Sequence, residues 1–554
     1  MRPVLSPLFA SAILLGAVAV SGPTPLPAQR APAARAPLNL GNHSFRVTTK
    51  SRDAQRAFDR GLILSFAFSH EASAEEFLKA AQLDPKLAMA WWGIALVHGP
   101  HINFPLVPPD HAQAAWDALT KAQALAPGAS EVERALITAL ASRYANPQPE
   151  DRGPLDLAYA SAMREVCRAY PQNADVAVLF AESLMDLHPW DLWTTNGNPQ
   201  PWAGEIVTTL HTALRLAPQH PGANHLLIHA VEASPEPERA LAAANRLRTL
   251  VPDASHLVHM PSHIYARVGQ WGDAASSNVA AERVDKAYRA ARAKPGFYAI
   301  YMAHNSHFLA FTAMMRGRSD EAIRTGRKMV SEIPPEFLQE FGPVVDGYMI
   351  FVSEVLMRFG RWNEVLAEPK PPEGLPLSLA LWHFTRAVAT NALDRADDAA
   401  KEKAAFLDAV TKVPDEYHFG NNSAADLLTI AIRVLDGEIA ARAGRYDESI
   451  ARLRDAARIE DALRYDEPPD WIQPVRHTLG AVLLRAGRPA EAEVVYREDL
   501  KRFPENGWSL FGLSRALQDQ GKMKEAAAAQ ARFVRAWAKA DVKIDSTCFC
   551  QPGA

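Results

Sequence analysis

The chain has 554 residues, of which 48% are hydrophobic, and 59 Lys and Arg oppose 63 Asp and Glu, for a formal net charge of −4. This length predicts several domains or one long repeat array with a large core. Because the charges are nearly balanced and neither sign forms a long run, we expect no general nucleic-acid or anionic-membrane surface. Three Cys are too few for a disulfide-dense scaffold, whereas the 18 His are numerous enough that their positions matter.

The N terminus has the pattern of an export signal. Arg2 precedes an apolar run from Leu8 to Val20, which is too short to span a bilayer of about 30 Å but is typical of a secretory signal peptide. We therefore predict a signal peptide over residues 1–28, a periplasmic or secreted protein, and no stable membrane insertion after cleavage; a retained anchor is the alternative. The Pro-, Ala- and Arg-rich residues 29–45 are predicted to form a flexible linker.

Segments of one shape, helix, turn, helix and turn, recur along the chain. They include LKAAQLDP, TKAQALAP, HTALRLAP and ANRLRTLVP, which end at Pro85, Pro127, Pro218 and Pro252. The last two prolines are 34 residues apart. This pattern resembles the tetratricopeptide repeat, and the resemblance implies an all-α fold, a right-handed α-solenoid of helix-turn-helix repeats. It covers roughly residues 50 to 540 and, by itself, implies no particular function.

A cluster of prolines from Pro369 to Pro376 interrupts the helical pattern and predicts a division between two arrays. Near the C terminus, Cys548 and Cys550 could pair with each other, bind a soft metal such as Cu(I), or belong to a disordered tail without a role. The predicted parts are an N-terminal repeat array over 46–365 with a His-rich concave groove, a Pro-rich linker at 366–378, a C-terminal repeat array over 379–540 and a Cys-containing tail at 541–554.

Histidine is concentrated in residues 225–307, which contain seven His where an even distribution would put about 2.7. Counted within the repeat, all seven fall at positions 2, 5 or 9 of a first helix, and Glu232 falls at position 12. At about 100° per residue these positions share one helical face, separate from the core positions 4, 7, 8 and 11. By resemblance to the family, that face lines the concave groove. The seven are His225, His229, His256, His259, His263, His304 and His307.

Imidazoles spaced three and four residues apart on one helix can converge with those of the next helix on one ion. We therefore predict a transition-metal site, with Zn, Cu or Fe as the candidate ions, the seven histidines as candidate ligands, and Glu232 as a ligand or general base. This set suits a dinuclear site or one metal with supporting partners. The site would be catalytic if a metal-bound water or oxygen species acted on a substrate.

Two alternatives stay open for the same residues. The first is a non-enzymatic scaffold whose groove binds a peptide or protein, and the second is a pH-sensing histidine cluster. In every case we expect a peptide, protein or small molecule in the groove, and no nucleic acid. The segments GANHLLIHAVEAS and HLVHMPSHIY resemble those of a largely uncharacterised group of secreted bacterial tetratricopeptide proteins, from which no activity follows.

Two rules of the repeat are broken at the predicted site. Pro261 falls in mid-helix between two of the histidines, where proline typically costs about 3 kcal/mol. Asn224 occupies a position that is usually large and apolar. Such local conflicts are expected where function overrides packing. In the earlier segment HPWDLW, His188 could reach the mouth of the same site, whereas Trp190 and Trp193 could merely pack a loop.

Overall fold

We describe the protein from a computed structural model that covers residues 38–291 and 296–551. The predicted signal peptide lies outside the described residues. Within them, helices dominate, and two short strands, β1 (His418–Phe419) and β2 (Asn422–Ser423), pair antiparallel with His418 opposite Ser423. Among the described residues, no helix is both long enough and apolar enough to cross a membrane.

The helices succeed one another with short connections. In the first part of the chain they are Arg52–Phe66 (α1), His70–Leu83 (α2), Ala88–Val97 (α3), Pro109–Leu125 (α4), Glu131–Ala141 (α5), Gly153–Ala169 (α6), Ala174–Met185 (α7), Ala203–Leu216 (α8), Pro221–Val231 (α9), Leu241–Leu250 (α10), Ser255–His259 (α11), Pro261–Arg267 (α12), Trp271–Ala291 (α13), Tyr298–Met315 (α14), Ser319–Glu332 (α15), Pro335–Val345 (α16), Phe351–Arg358 (α17) and Trp362–Ala367 (α18).

The remaining helices are Pro376–Ala392 (α19), Ala396–Val410 (α20), Ala424–Arg442 (α21), Tyr446–Ala462 (α22), Val475–Arg485 (α23), Pro489–Arg502 (α24), Gly507–Asp519 (α25) and Met523–Ala536 (α26). Short 3-10 helices cover Ala126–Gly128, Pro237–Ala240 and Asp346–Ile350.

The helices pack as successive hairpins whose large residues fit against glycines of neighbouring helices. The ring of Tyr496 on α24 lies against Gly480 on α23 and Gly512 on α25, so a Cβ at either glycine would overlap with it. Gly487, in the turn between α23 and α24, adopts φ +69°, which glycine tolerates without a steric penalty. The repeat interpretation is therefore confirmed, since the chain is an all-α solenoid of tetratricopeptide-type helical hairpins.

The predicted division at 366–378 is not a boundary in the structure, because Asn39–Ala554 form one compact unit. Helices from the two predicted arrays contact each other directly. The indole Nε1 of Trp508 on α25 donates to the Met314 carbonyl oxygen at 2.9 Å, and its side chain is fully buried. The prolines lie between α18 and the start of α19. The buried apolar residues form two clusters, but neither ends at these prolines, because one includes both Phe351 and Trp508 and the other includes both Val365 and Leu377.

The predicted flexible linker and the predicted Cys-containing tail also pack against the helices where the structure describes them. In the predicted linker, Leu40 is buried and His43 Nε2 lies 2.8 Å from Asp175 Oδ1. In the predicted tail, Cys548 and Cys550 form a disulfide, and both are buried. Residues 38–45 and 541–551 are therefore packed parts of the fold, because they bury apolar and polar groups that a free tail would leave in water.

Candidate metal centre

The predicted site residues lie on three neighbouring stretches of helix. Helix α9 carries His225 and His229 and ends at Glu232, its C-cap residue. Helices α11 and α12 carry the next three histidines, and α14 carries the last two. All of these side chains are buried except that of His304, which is partly exposed. The predicted concave groove is therefore covered at this point, and the histidines form an internal cluster instead of an open wall.

The two broken repeat rules have local explanations. Pro261 begins α12 only two residues after α11 ends, and Met260 between them keeps helical angles, φ −50° and ψ −35°. The chain thus continues in nearly the same direction without a hydrogen bond at the proline. Asn224 is fully buried, and its Nδ2 donates to the carbonyl oxygens of Pro218 at 3.0 Å and His220 at 2.8 Å. The amide therefore ties α9 to the turn before it.

Six of the seven histidines form two groups of three. We call His225, His229 and His256 the first trio, and His259, His263 and His304 the second trio. Within each trio one ring nitrogen from every histidine lies within 4.8 Å of the others. Neither trio contains a thiol or a carboxylate ligand.

In the first trio, hydrogen bonds determine which nitrogens are free. His225 Nδ1–H donates to the Phe66 carbonyl at 2.7 Å, so its Nε2 carries a lone pair, and this atom lies 3.1 Å from His256 Nε2. His229 Nδ1–H donates to Glu232 at 2.7 Å, and its buried Nε2 has no hydrogen-bond partner among the described residues. In the first trio, His229 Nε2 is therefore unpaired in a buried space, whereas the contact between His225 Nε2 and His256 Nε2 requires a proton or an ion between them.

Hydrogen bonds also indicate which ring nitrogens of the second trio carry lone pairs. The amide nitrogen of Asn278 donates to the Ala274 carbonyl, so its oxygen faces His259, whose Nδ1–H donates to it at 2.6 Å. The lone pair on His259 Nε2 then faces His263 Nε2 at 2.8 Å, and His304 Nε2 lies 3.4 Å from the same atom. Two lone pairs cannot occupy such a contact alone, so the space between these rings must hold a proton or a metal ion.

Glu232 joins the two trios. Its Oε1 accepts from His229 Nδ1 at 2.7 Å, and its Oε2 accepts from His263 Nδ1 at 2.5 Å. Burial by itself would raise the pKa of this carboxyl, but the two imidazoles hold it at about 2, and the group is ionised. The structure therefore places Glu232 behind the rings, as the acceptor that orients one ligand of each trio.

The surrounding electrostatics favour neutral rings. Burial and the neighbouring imidazoles lower the pKa values of His225, His256 and His259 well below the ordinary range. For His263, burial also lowers the pKa, but Glu232 outweighs it and the net shift is upward. Most of the cluster thus presents lone pairs and not positive charge.

His307, the seventh predicted ligand, belongs to neither trio. Its ring packs edge-on against Tyr348 and Phe351, with centroids 5.4 and 4.6 Å away. Burial lowers its pKa to about 3. His307 was predicted to lie on the same helical face as the ligands. It lies about one turn beyond His304 on α14, and its ring does not reach either trio.

A third cluster, His43, Asp175 and His220, also has the composition of a metal site. In contrast to the donating Nδ1 atoms of the trios, His220 Nδ1 accepts a hydrogen bond from the Ala223 backbone N–H at 3.2 Å. A neutral His220 therefore carries its proton on Nε2, which faces Asp175 Oδ1 at 3.2 Å. His43 Nε2–H donates to the same oxygen at 2.8 Å, so the carboxylate is already paired without an ion.

Two strained residues border the first trio. Phe68 has φ +54° and Trp190 has φ +57°, a region that costs non-glycine residues about 1–3 kcal/mol. The ring of Phe68 lies 4.7 Å from that of His225, and the ring of Trp190 lies 5.4 Å from that of His229, measured between centroids. Backbone strain of this kind tends to occur at functional sites, and here it positions two aromatic walls.

A small cavity of about 20 Å³ adjoins the first trio. Its polar groups come from His229, Glu232 and the hydroxyl of Tyr465, and the rest of its lining is largely apolar and aromatic. His188, stacked on Trp202 with centroids 3.6 Å apart, forms part of the wall. The lining residues are Ile102, Met185, His188, Trp190, Leu192, Trp193, His229, Glu232, Ala233 and Tyr465.

Sequence reasoning missed several residues of this site. Phe66 contributes only a backbone carbonyl, and Asn278 lies on α13, outside the histidine pattern. Phe68 and Tyr465 lie in connections between helices, where no periodicity marks them. The one feature of the sequence that could have indicated Tyr465 is its position in a connection rich in Pro and acidic residues.

The fold and this site together define an all-α repeat protein with a buried histidine centre. No family model matches the chain, and no curated protein does. Among solved structures it is similar to a human IFIT1 dimer with PPP-AAAA, at 14% identity over 86% of this chain and 88% of that chain, with a TM-score of 0.33. It is also similar to the APC/C hetero-tetramer Cut9–Hcn1, at 14% identity over 84% and 76%, with a TM-score of 0.32. Likeness at this level carries no functional argument.

Proposed function

We propose that the two trios form a dinuclear transition-metal centre that acts on a small molecule. The observation that carries this proposal is the hydrogen bonding behind the rings. Four of the six histidines donate Nδ1–H to an oxygen, two of them to Glu232, so that Nε2 is the atom each neutral ring would offer to a metal. Metal-bound histidines characteristically donate their other nitrogen in this way.

The ligand set agrees with a borderline transition metal. Imidazole suits Zn, Cu and Fe, whereas Mg and Ca prefer oxygen ligands. Carboxylates on the connection between α22 and α23 lie near enough to influence His263, notably Glu467 and Asp466. Negative charge close to the centre would offset that of bound cations.

The cover over the histidines favours a small substrate over a peptide. His229 is 7% exposed and Glu232 is fully buried, so a peptide or protein in an open groove has no surface of theirs to contact. The aromatic cavity beside them, about 20 Å³, has room for a water-sized molecule. Export remains our expectation for the location of the protein.

The test is metal stoichiometry by elemental analysis after the protein is supplied separately with Zn²⁺, Cu⁺ and Fe²⁺. We expect two ions per chain with the preferred metal. The double variant His225→Ala/His256→Ala should lose the ion of the first trio, and His259→Ala/His304→Ala should lose the ion of the second trio. Any turnover by the metal-containing protein should disappear in both variants.

His307→Ala is the matched control, since it also removes a buried imidazole but lies outside both trios. It should retain two ions, although it should lose stability as any cavity-forming change does. Absence of stoichiometric transition metal from the native protein, or equal metal content in all four proteins, would overturn the proposal.

A further inference from the structure

The C-terminal segment is built into the packed interior beside α21 and α23. The Thr547 hydroxyl donates to the His477 carbonyl at 2.6 Å and lies 2.8 Å from the Tyr496 hydroxyl. The side chain of Gln551 is fully buried and its amide donates to Glu438. Because this segment is anchored on both sides of Cys548 and Cys550, the position of their sulfurs is defined by the fold.

The two sulfurs converge with a buried carboxylate. Cys548 Sγ lies 3.9 Å from Glu438 Oε1, and Cys550 Sγ lies 4.0 Å from the Thr478 hydroxyl. One ligand atom each from Glu438, Cys548 and Cys550 lies within 4.8 Å of the others, and all three residues are buried. Two sulfurs and one carboxylate are a ligand set that a thiophilic cation prefers.

A small cavity of about 20 Å³ borders the same three residues. Two polar atoms from its lining, Gln473 Oε1 and Trp471 Nε1, are buried and have no hydrogen-bond partner among the described residues. The amide nitrogen of Gln473 meanwhile lies 3.7 Å from Cys548 Sγ. The cavity therefore has room for a further ligand, such as water, on the side where the sulfurs lie.

We propose that Cys548, Cys550 and Glu438 form a redox-gated site for a thiophilic d10 cation, Zn²⁺ or Cu⁺. In the structure the sulfurs form a disulfide, which is a poor ligand. A dithiol or phosphine reductant supplies two electrons, two protons complete the two thiols, and the reductant is oxidised. The cation then displaces both thiol protons and binds two thiolates and the carboxylate. A small-molecule disulfide then accepts two electrons from the thiolates and two protons from water and becomes two thiols, and the re-formed disulfide of Cys548 and Cys550 releases the cation.

The site is independent of the histidine centre in both residues and chemistry. It involves α21, α23 and the C-terminal segment, whereas the trios lie on α9, α11, α12 and α14. The two proposals can therefore fail separately.

The experiment is anaerobic titration of the full exported chain with Co²⁺ alone, after reduction by a phosphine that is then removed. Thiolate ligation produces a near-ultraviolet sulfur-to-cobalt charge-transfer band that imidazole ligation does not produce. We expect the band in reduced protein and its loss in unreduced protein and in Cys548→Ser/Cys550→Ser. Glu438→Gln should weaken Co²⁺ binding at this site on the order of tenfold or more.

Two controls separate this site from other ligands. Cys167→Ser removes the third cysteine, which is free and partly buried, and should retain the band. His225→Ala/His259→Ala/His263→Ala should also retain it, whatever happens to metal at the trios. If the double Ser variant does not fold, Cys550→Ser alone should reduce the band by about half or more, since one thiolate cannot chelate. No band in reduced wild type, or a band that persists without both cysteines, overturns the proposal.

Discussion

The hydroxyl of Tyr465 lies 3.5 Å from Oε2 of Glu232, although 233 positions separate the two residues. The same hydroxyl donates to Glu467 at 3.1 Å. The connection between α22 and α23 therefore covers the carboxylate that joins the two trios. This connection contains none of the predicted ligands, yet it forms part of the surroundings of the histidine centre.

Glu232→Gln should weaken metal binding about 10–100-fold without removing a ligand. A glutamine has one acceptor oxygen, so it can accept from His229 or from His263 but not from both. The other ring then faces an N–H donor and must change its tautomer, which places a proton on the nitrogen that would bind metal. Competition against a chromophoric chelator measures the affinity.

Glu460→Gln is the control for that change, because Glu460 is also buried but lies on α22 and accepts from the Val475 backbone N–H. Its metal affinity should equal that of wild type. Equal affinities for Glu232→Gln and Glu460→Gln would contradict the orienting role of Glu232.

Phe68→Gly should be more stable than Phe68→Ala by about 1 kcal/mol, since both lose the ring but only glycine tolerates φ +54° without strain. At Phe58, in the middle of α1, the order should reverse by about 0.5–1 kcal/mol because glycine is a poor helix former. Urea unfolding of the four variants measures both differences. The same order at both positions would show that the backbone of Phe68 is unstrained.

Glu354→Gln should remove a pH-dependent loss of stability. Burial raises the pKa of Glu354 to about 8, and its Oε2 has no hydrogen-bond partner among the described residues. Because the folded state holds this proton more tightly than the unfolded state, stability falls as pH rises from about 4.5 to 8, by up to about 1.4 kcal/mol per unit. Above pH 8 the loss is complete.

Thermal melting at several pH values checks this. Wild type and Glu354→Gln should have similar midpoints near pH 4.5, and the variant should be the more stable by a widening margin up to pH 8. A constant difference across that range would mean that Glu354 ionises as readily in the folded protein as in the unfolded chain.

Asp186→Asn should destabilise the protein by about 3 kcal/mol. Asp186 lies 2.6 Å from Arg143, and both side chains are 2% exposed, so the change leaves a buried guanidinium without its main counter-charge. The surface pair Arg164 and Glu205, at 2.9 Å, is the comparison. Glu205→Gln should cost less than about 1 kcal/mol, since water screens that pair. Similar losses in urea unfolding would contradict this assignment.

The sequence was sufficient for the architecture and for the identity of most candidate ligands. Repeat spacing predicted helical hairpins, and the turn at Gly487 has the positive φ that such a turn requires. Six of the seven histidines meet in two trios, whereas His307 does not. One helical face covers a wide arc and several turns, so shared direction on a helix does not ensure that two rings reach the same point.

What sequence alone determined is periodic: the helices, their pairing in hairpins and the face on which the histidines lie. These depend on local backbone geometry, which repeats every few residues. The tertiary structure alone decided that the groove is covered, that Glu232 lies behind the rings, and that Tyr465 and the C-terminal cysteines belong to the interior. Those outcomes depend on contacts between residues far apart in the chain, whose distances no local pattern encodes.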